Sequence, residues 1–356
     1  MSSFSSKTIL SAIAGAVAVS AHGHVTHAVV DGVEYPGYDV FSAPYQSDPP
    51  TVIGWAEDAT DNGFLLPEAV GTADIVCHLN AENAGGHATV SAGSSIMMQW
   101  DTWPESHHGP VIDYLANCGD SCETVDKTSL EFFKIGESGL LDGSSAPGRW
   151  ASDVLIENGN AWIVDIPETL APGNYVLRHE IIALHEGFKA NGAQLYPQCI
   201  NIQVTGSGTD SPAGVLATEL YQEDDEGIVF DIYTVMDSYP IPGPGLYSGA
   251  DTDVAQSVME ITSSADPVTE QSVPTGVAEA TTSVAAEATA TSEAAETTAT
   301  STEAKPTSTE VADEEPTAAT TTTAEAVEEP TATATPTPTR KPCNSRKRRH
   351  ARDVSA

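Results

Sequence analysis

Positive charge is what this chain most lacks. Its 356 residues hold 14 Lys and Arg against 51 Asp and Glu, a formal net charge of −37 at neutral pH. Residues 22–249 hold only five basic side chains against 33 acidic ones. A nucleic-acid partner demands a basic footprint, so that class is excluded. Long apolar runs are nearly absent too. The run at residues 9–19 is too short for an ordinary membrane span, and no transmembrane span is expected elsewhere. Lys7 precedes this run, and Val19-Ser20-Ala21 follows it with small residues where a leader peptidase cuts. Residues 1–21 therefore read as a signal peptide and the product as secreted and extracellular. There is no phosphate-binding loop and no nucleophile elbow. Convincing helical periodicity is scarce, residues 129–133 and 212–220 reading at most as short turns or helices.

Cysteines number five, and Cys343 stands alone in the tail. In an oxidising compartment the other four read as two disulfides. Cys118 and Cys122 are close enough to bridge locally, which leaves Cys77 with Cys199 as a long-range staple. A cysteine-rich metal site is disfavoured, because no second close pair completes four ligands. From residue 250 to 356 the chain is rich in Ser, Thr, Ala, Glu and Pro, almost free of large apolar residues, and basic at its end. Such a segment buries too little surface to offset chain entropy and is expected to be a disordered stalk.

What is present in residues 22–249 is strand. Segments 24–30, 88–90, 95–100, 111–115, 161–166, 173–182 and 199–204 are short, rich in β-branched and aromatic residues, and bounded by Gly, Pro, Asn or Asp. Many short strands with long loops predict an all-β fold, an antiparallel β-sandwich.

Ten histidines are the first candidates for chemistry. A cut after Ala21 makes His22 the first residue, where its free α-amine and its own imidazole can close a six-membered chelate on one metal ion. No internal histidine can do this, because its nitrogen is tied up in a peptide bond. A second cluster is Ser106-His107-His108-Gly109-Pro110, where Gly-Pro fixes the loop exit and holds the preceding imidazole. Only one of two adjacent histidines normally faces a given site. With His107 added to the His22 chelate, three nitrogens in a plane suit copper better than zinc, which prefers a tetrahedron. The Tyr196 phenol is a candidate for the axis. His24 and His27 offer alternative metal contacts near the terminus.

These stretches, with His179-Glu180-Ile181-Ile182-Ala183-Leu184-His185 and Gly192-Ala193-Gln194-Leu195-Tyr196-Pro197-Gln198-Cys199, resemble the fungal lytic polysaccharide monooxygenases of auxiliary activity family 9. The resemblance covers residues 22 to about 249. It implies an immunoglobulin-like or fibronectin-like sandwich whose flat face carries a copper histidine brace. The brace would comprise the α-amine and Nδ1 of His22 with Nε2 of His107, and Tyr196 would be axial. Gln194 and His185, rather than His179, match the pair that hydrogen-bonds the oxygen species and handles protons. Tyr45 and Tyr233 match platform positions for sugar rings, with Tyr239 and Tyr247 as further candidates. The Cys77–Cys199 and Cys118–Cys122 pairs agree with the family's disulfides. The implied function is oxidative cleavage of β-1,4-glucan, with cellulose the expected substrate. Attack would fall at C1, C4 or both, with O2 or H2O2, an external reductant and one copper per monomeric catalytic domain.

Two rival classes remain on the residues alone. A glycoside hydrolase needs two carboxylates across a cleft; Glu105 and Asp113 flank the histidine cluster but read as solvated surface acids. A non-catalytic carbohydrate- or copper-binding secreted protein could share the same sandwich, since fold does not fix function.

Overall fold

The computed structural model describes residues 22–269. The expected leader and the tail from residue 270, with Cys343 and the basic end, lie outside the described residues.

Two sheets form a sandwich. The first orders β13 (Ser263–Ser264), β2 (Val33–Pro36), β1 (Val25–Val30), β4 (Ser95–Trp100) and β9 (Ala161–Asp165). The second orders β12 (Val215–Leu216), β6 (Glu131–Ser138), β5 (Val111–Asn117), β10 (Gly173–Ala183), β11 (Gln194–Thr205) and β3 (Ala88–Ser91). A ribbon of β7 (Leu140–Asp142) and β8 (Arg149–Trp150) leads into the short helix α1 (Ala151–Glu157). Pairing is antiparallel except between β11 and β3 and between β13 and β2. The all-β antiparallel sandwich expected from the pattern is the observed fold.

Period-two side-chain alternation decides which residues reach the core. In β3, Ala88 and Val90 are buried while Thr89 and Ser91 face water. The central strand β10 departs from this, being buried along its whole length. Tyr175, Leu177, Ile181 and Ala183 pack between the sheets with Ala28, Ile96, Trp100, Leu115 and Ile202. The opposite side of the strand, Val176 and Ile182, joins a second apolar cluster with Leu65, Ile75, Tyr221 and Ile228. The long loops thus cover the outer face of the second sheet. Arg178 and Glu180 lie on that covered side, paired at 2.8 and 2.9 Å, and the guanidinium also donates to the carbonyls of Ile75 and Val76. Buried charges persist only when paired and hydrogen-bonded in this way.

Several expectations are corrected. Residues 129–133 are not a helix: a single 3-10 turn at Lys127–Ser129 precedes β6, where Phe132 and Phe133 point to opposite faces, one into each apolar cluster. An adjacent aromatic pair with both faces covered leaves no alternation to read. Strand β11 begins at Gln194, five residues before the segment expected, because its polar Gln194 and Gln198 and its Pro197 disguise it. Helix α1 spans only 7 residues, too short for a visible periodicity.

The packing also continues past residue 249. Gln256 brackets the edge of β9, its Oε1 accepting from the Ile163 N–H at 2.8 Å and its Nε2 donating to the Ile163 carbonyl at 3.1 Å. Val254 and Met259 cover Val29, Met97, Ala161 and Ile163 on the outer face of the first sheet. Ser263 and Ser264 then pair with the other edge, β2. The segment therefore crosses the first sheet from edge to edge and protects both open edges. Its few apolar residues are spaced to meet that face, which bulk composition conceals. Disulfides join Cys77 to Cys199 on β11 and Cys118 to Cys122 in the loop after β5.

Candidate metal centre

One end of the sandwich collects three of the histidines. The chain enters β1 there, β4 leaves into the loop 101–110, and the antiparallel pairing of Ala183 with Gln194 closes the turn from β10 to β11. These three connections carry His22, His107 and His185, while Gln194 and Tyr196 stand at the start of β11.

Local packing explains the loop that bears His107. The His107 N–H donates to the Pro104 carbonyl, and the Trp103 indole donates to the His107 carbonyl at 3.0 Å. Gly109 lies directly on β10: a Cβ there would fall 1.8 Å from the Ile182 carbonyl oxygen. The Leu184 N–H then donates to His108. This close approach sends the two adjacent imidazoles apart. His108 turns to Asp153 of α1 at 2.9 Å, whereas the His107 ring stands 5.2 Å from that of His22, inclined by 69°.

Around this pair the rings are tightly disposed. His185 lies 4.0 Å from His107, and Tyr196 lies 5.8 Å from His22 and 4.9 Å from Trp103. Tyr196 is buried and donates its hydroxyl hydrogen to Gln194 Oε1 at 2.8 Å. Burial raises the Tyr196 phenol, which stays protonated. His107 is held down to about 3, first by burial and then by the neighbouring imidazoles of His185, His22 and His108. Burial also lowers His22 and His185, against the opposing pulls of Asp61 and Glu186 respectively. The imidazoles are thus neutral near pH 7, the form in which a metal binds them.

The residues fit copper. His107 Nε2 and His185 Nδ1 are buried with no hydrogen-bond partner in the structure, a condition that calls for an explanation such as a missing ion. His107 Nδ1 is meanwhile engaged by Ser106 Oγ at 3.1 Å, so the orphaned nitrogen is the one turned away from the loop. Among the described residues no three His, Cys, Asp or Glu side chains are disposed to hold a metal ion by themselves. Two close imidazoles are nonetheless donors that suit copper.

The sequence candidates divide clearly. His22, His107, His185, Tyr196 and Gln194 come together. Tyr233 joins them by donating to the His185 carbonyl at 3.0 Å while remaining exposed. Tyr45, on the turn Ala43–Tyr45, is 80% exposed, and nearby Phe41 packs on the His24 ring. Tyr239 is not a platform residue: it is wedged between Trp150 and Phe230 and donates to the Gly227 carbonyl. Tyr247 packs on Phe133 and bonds Thr169 in the turn entering the far end of β10. His24 faces Asn62, and His27 bonds Thr26. His179 and Asp113 are buried against each other at 2.6 Å, so Asp113 is no solvated surface acid. Sequence reasoning missed Phe64, 5.4 Å from His22, and the exposed Phe188 beside Tyr233. It also missed Asn62, whose place in Asp61-Asn62-Gly63 signals a left-handed turn, observed at φ +56°.

A β-sandwich with two converging imidazoles and a buried phenol at one end, beside exposed aromatics, has the build of a metal-dependent enzyme acting on an extended surface. Comparison with known proteins makes the assignment. The model of auxiliary activity family 9, formerly glycoside hydrolase family 61, matches residues 22–239. Lytic polysaccharide monooxygenase D of Podospora anserina is 59% identical over 76% of this chain and 78% of its own length. Monooxygenase A of Malbranchea cinnamomea is 61% identical over 69% and 74%. The solved extended catalytic domain of Hypocrea jecorina LPMO9A aligns with a TM-score of 0.67 at 55% identity, covering 69% of this chain and 99% of that one. A cellulose-active monooxygenase of M. thermophila aligns with a TM-score of 0.56 at 33% identity, over 64% of this chain and all of that one. The chain belongs to auxiliary activity family 9, the copper-dependent lytic polysaccharide monooxygenases.

Proposed function

We propose that the chain is secreted, is cut after Ala21, and binds one copper through the α-amine and Nδ1 of His22 and Nε2 of His107, with the Tyr196 phenol alongside. The observation that carries this reading is the buried, unpartnered Nε2 of His107, on a ring whose centroid stands 5.2 Å from that of His22. Copper, when bound, supplies the one-electron oxygen chemistry that attacks a glycosidic carbon. The chain's own residues do the rest. Tyr196 fixes the Gln194 amide through its hydroxyl. Neutral His185, stacked 4.0 Å from His107, holds or moves a proton at its ring nitrogens. The exposed rings of Tyr45 and Tyr233 meet sugar faces, so the substrate is an insoluble β-1,4-glucan, cellulose first. O2 or H2O2 and an external reductant complete the reaction.

Mass spectrometry of soluble products from cellulose, incubated with copper-loaded mature protein with and without ascorbate, tests this. Oxidised cello-oligosaccharides that require the reductant are expected, and their masses separate C1 from C4 attack. Native oligosaccharides formed without reductant, or copper binding without any oxidised product, would overturn it.

A further inference from the structure

Chain termini fray unless something ties them down, yet the proposed metal chelate is built on one. Every backbone hydrogen-bonding group from the His22 carbonyl to the Val25 N–H, Gly23 apart, is held by a long-range contact. The His22 carbonyl accepts from Asn62 Nδ2 at 3.0 Å. The His24 N–H donates to Asp101 Oδ1 at 3.0 Å, and the His24 carbonyl accepts from the Asp101 N–H at 3.1 Å. The Val25 N–H donates to Gln198 Oε1 at 3.1 Å. Gly23 is pressed against the Thr102 carbonyl, where a Cβ would come within 2.0 Å.

Asn62 is the centre of this arrangement. It is buried, sits in the left-handed region, and spends both ends of its amide: Oδ1 meets the His24 ring at 3.0 Å, and Nδ2 reaches the His22 carbonyl and, at 3.3 Å, Asp101 Oδ2. The His22 carbonyl plane is thereby fixed. Only the torsion about Cα–C then separates that plane from the amine and from Cβ, the two branches that must close on a metal. We propose that Asn62, backed by Asp101, is a positioning residue that sets the direction of the His22 amine and ring, so that the chelate is formed before the metal arrives. This rests on the brace reading above.

The test uses the mature protein beginning at His22 and the variants Asn62→Gly, Asn62→Asp and Asp101→Asn. Glycine keeps the left-handed backbone and removes the amide. Aspartate keeps the acceptor toward His24 but sets a carboxylate oxygen against the His22 carbonyl. Asp101→Asn turns an amide nitrogen toward Asn62 and loosens it without touching His22, giving a second route if an Asn62 variant fails to fold. Asn80→Gly is the control, a second left-handed asparagine (φ +51°) whose side chain bonds Asp58 rather than His22, His24 or Asp101. Three quantities are read: copper affinity by competition titration, the Cu(II) electron paramagnetic resonance spectrum, and the Tm of the metal-free protein.

Copper affinity should fall about 10- to 100-fold in both Asn62 variants, as for other groups that orient a ligand. A changed Cu(II) spectrum should accompany it, with a smaller change in Asp101→Asn. Asn80→Gly, at an exposed position, should lower Tm less and leave copper affinity and spectrum alone. Wild-type affinity and spectrum in Asn62→Gly, whatever its Tm, would refute the clamp while leaving the brace standing. If the unmutated protein itself lacks a copper spectrum that His107→Ala removes, the brace and the clamp fall together.

Discussion

Two histidines separated by one tryptophan layer have opposite fates. His179, on β10 between the sheets, uses both ring nitrogens: the Trp100 indole donates to Nε2 at 2.9 Å, and Nδ1 donates to Asp113 at 2.6 Å, whose other oxygen accepts from Trp162 at 3.1 Å. His107 is reached from the same Trp100 through Trp103, at ring separations of 5.2 and 6.0 Å, yet its Nε2 is buried and unmet. Low dielectric makes a completed polar network rigid and an incomplete one costly. Burial alone therefore does not separate a structural histidine from a working one. The distinction lies in whether its hydrogen bonds close within the protein.

The sharpest way to break the comparison is to exchange outcomes. His107→Ala should abolish reductant-dependent oxidised products while the metal-free Tm stays near wild type; surviving activity with copper supplied would remove His107 from the ligand set. Next in size is the amine. One extra residue left ahead of His22 should weaken copper binding sharply, and titration of the two mature forms checks it. Breaking Cys77–Cys199, which closes 122 residues and anchors the strand bearing Gln194 and Tyr196, should cost about 5 kcal/mol, against about 2 kcal/mol for the Cys118–Cys122 link spanning 4 residues. Denaturant titration of the paired Cys→Ser variants compares them.

On the closed side of the comparison, His179→Ala should cost roughly 3–5 kcal/mol by stripping a buried carboxylate and an indole of a partner. Its copper affinity should be unchanged in whatever fraction folds. A pH-graded effect lies behind the terminal strand. Gln198, which holds the Val25 N–H, also donates to the buried Glu57 carboxylate group at 3.3 Å. Burial pushes the Glu57 carboxyl from 4.5 up to about 8. Between those values the folded chain keeps a proton that the unfolded chain releases, so this group's contribution to stability falls as pH rises. The slope is at most about 1.4 kcal/mol per pH unit. Glu57→Gln should flatten the Tm profile across that window, and parallel wild-type and variant melts measure the difference.

Much of this was legible in one dimension because it is local chemistry. Strand-turn alternation announced the sandwich, and cysteine spacing announced the two bridges that the structure contains. The His22, His107–Gly109 and Gln194–Tyr196 stretches mark residues that the fold brings together. What the sequence could not decide was long-range pairing. Which of His107 and His108 turns toward His22 depends on Asp153 of a helix 45 residues on and on the contact of Gly109 with β10. That Asp113 faces inward, that Tyr247 lies at the far end, that residues 250–269 cross the first sheet, and that Asn62 grips the terminus are all relations between distant segments. Composition and spacing set what each stretch is able to do. Only the closing of the sheets sets which polar atoms find partners, and the site is where two imidazoles, His107 and His185, lie side by side with a buried nitrogen left unmet.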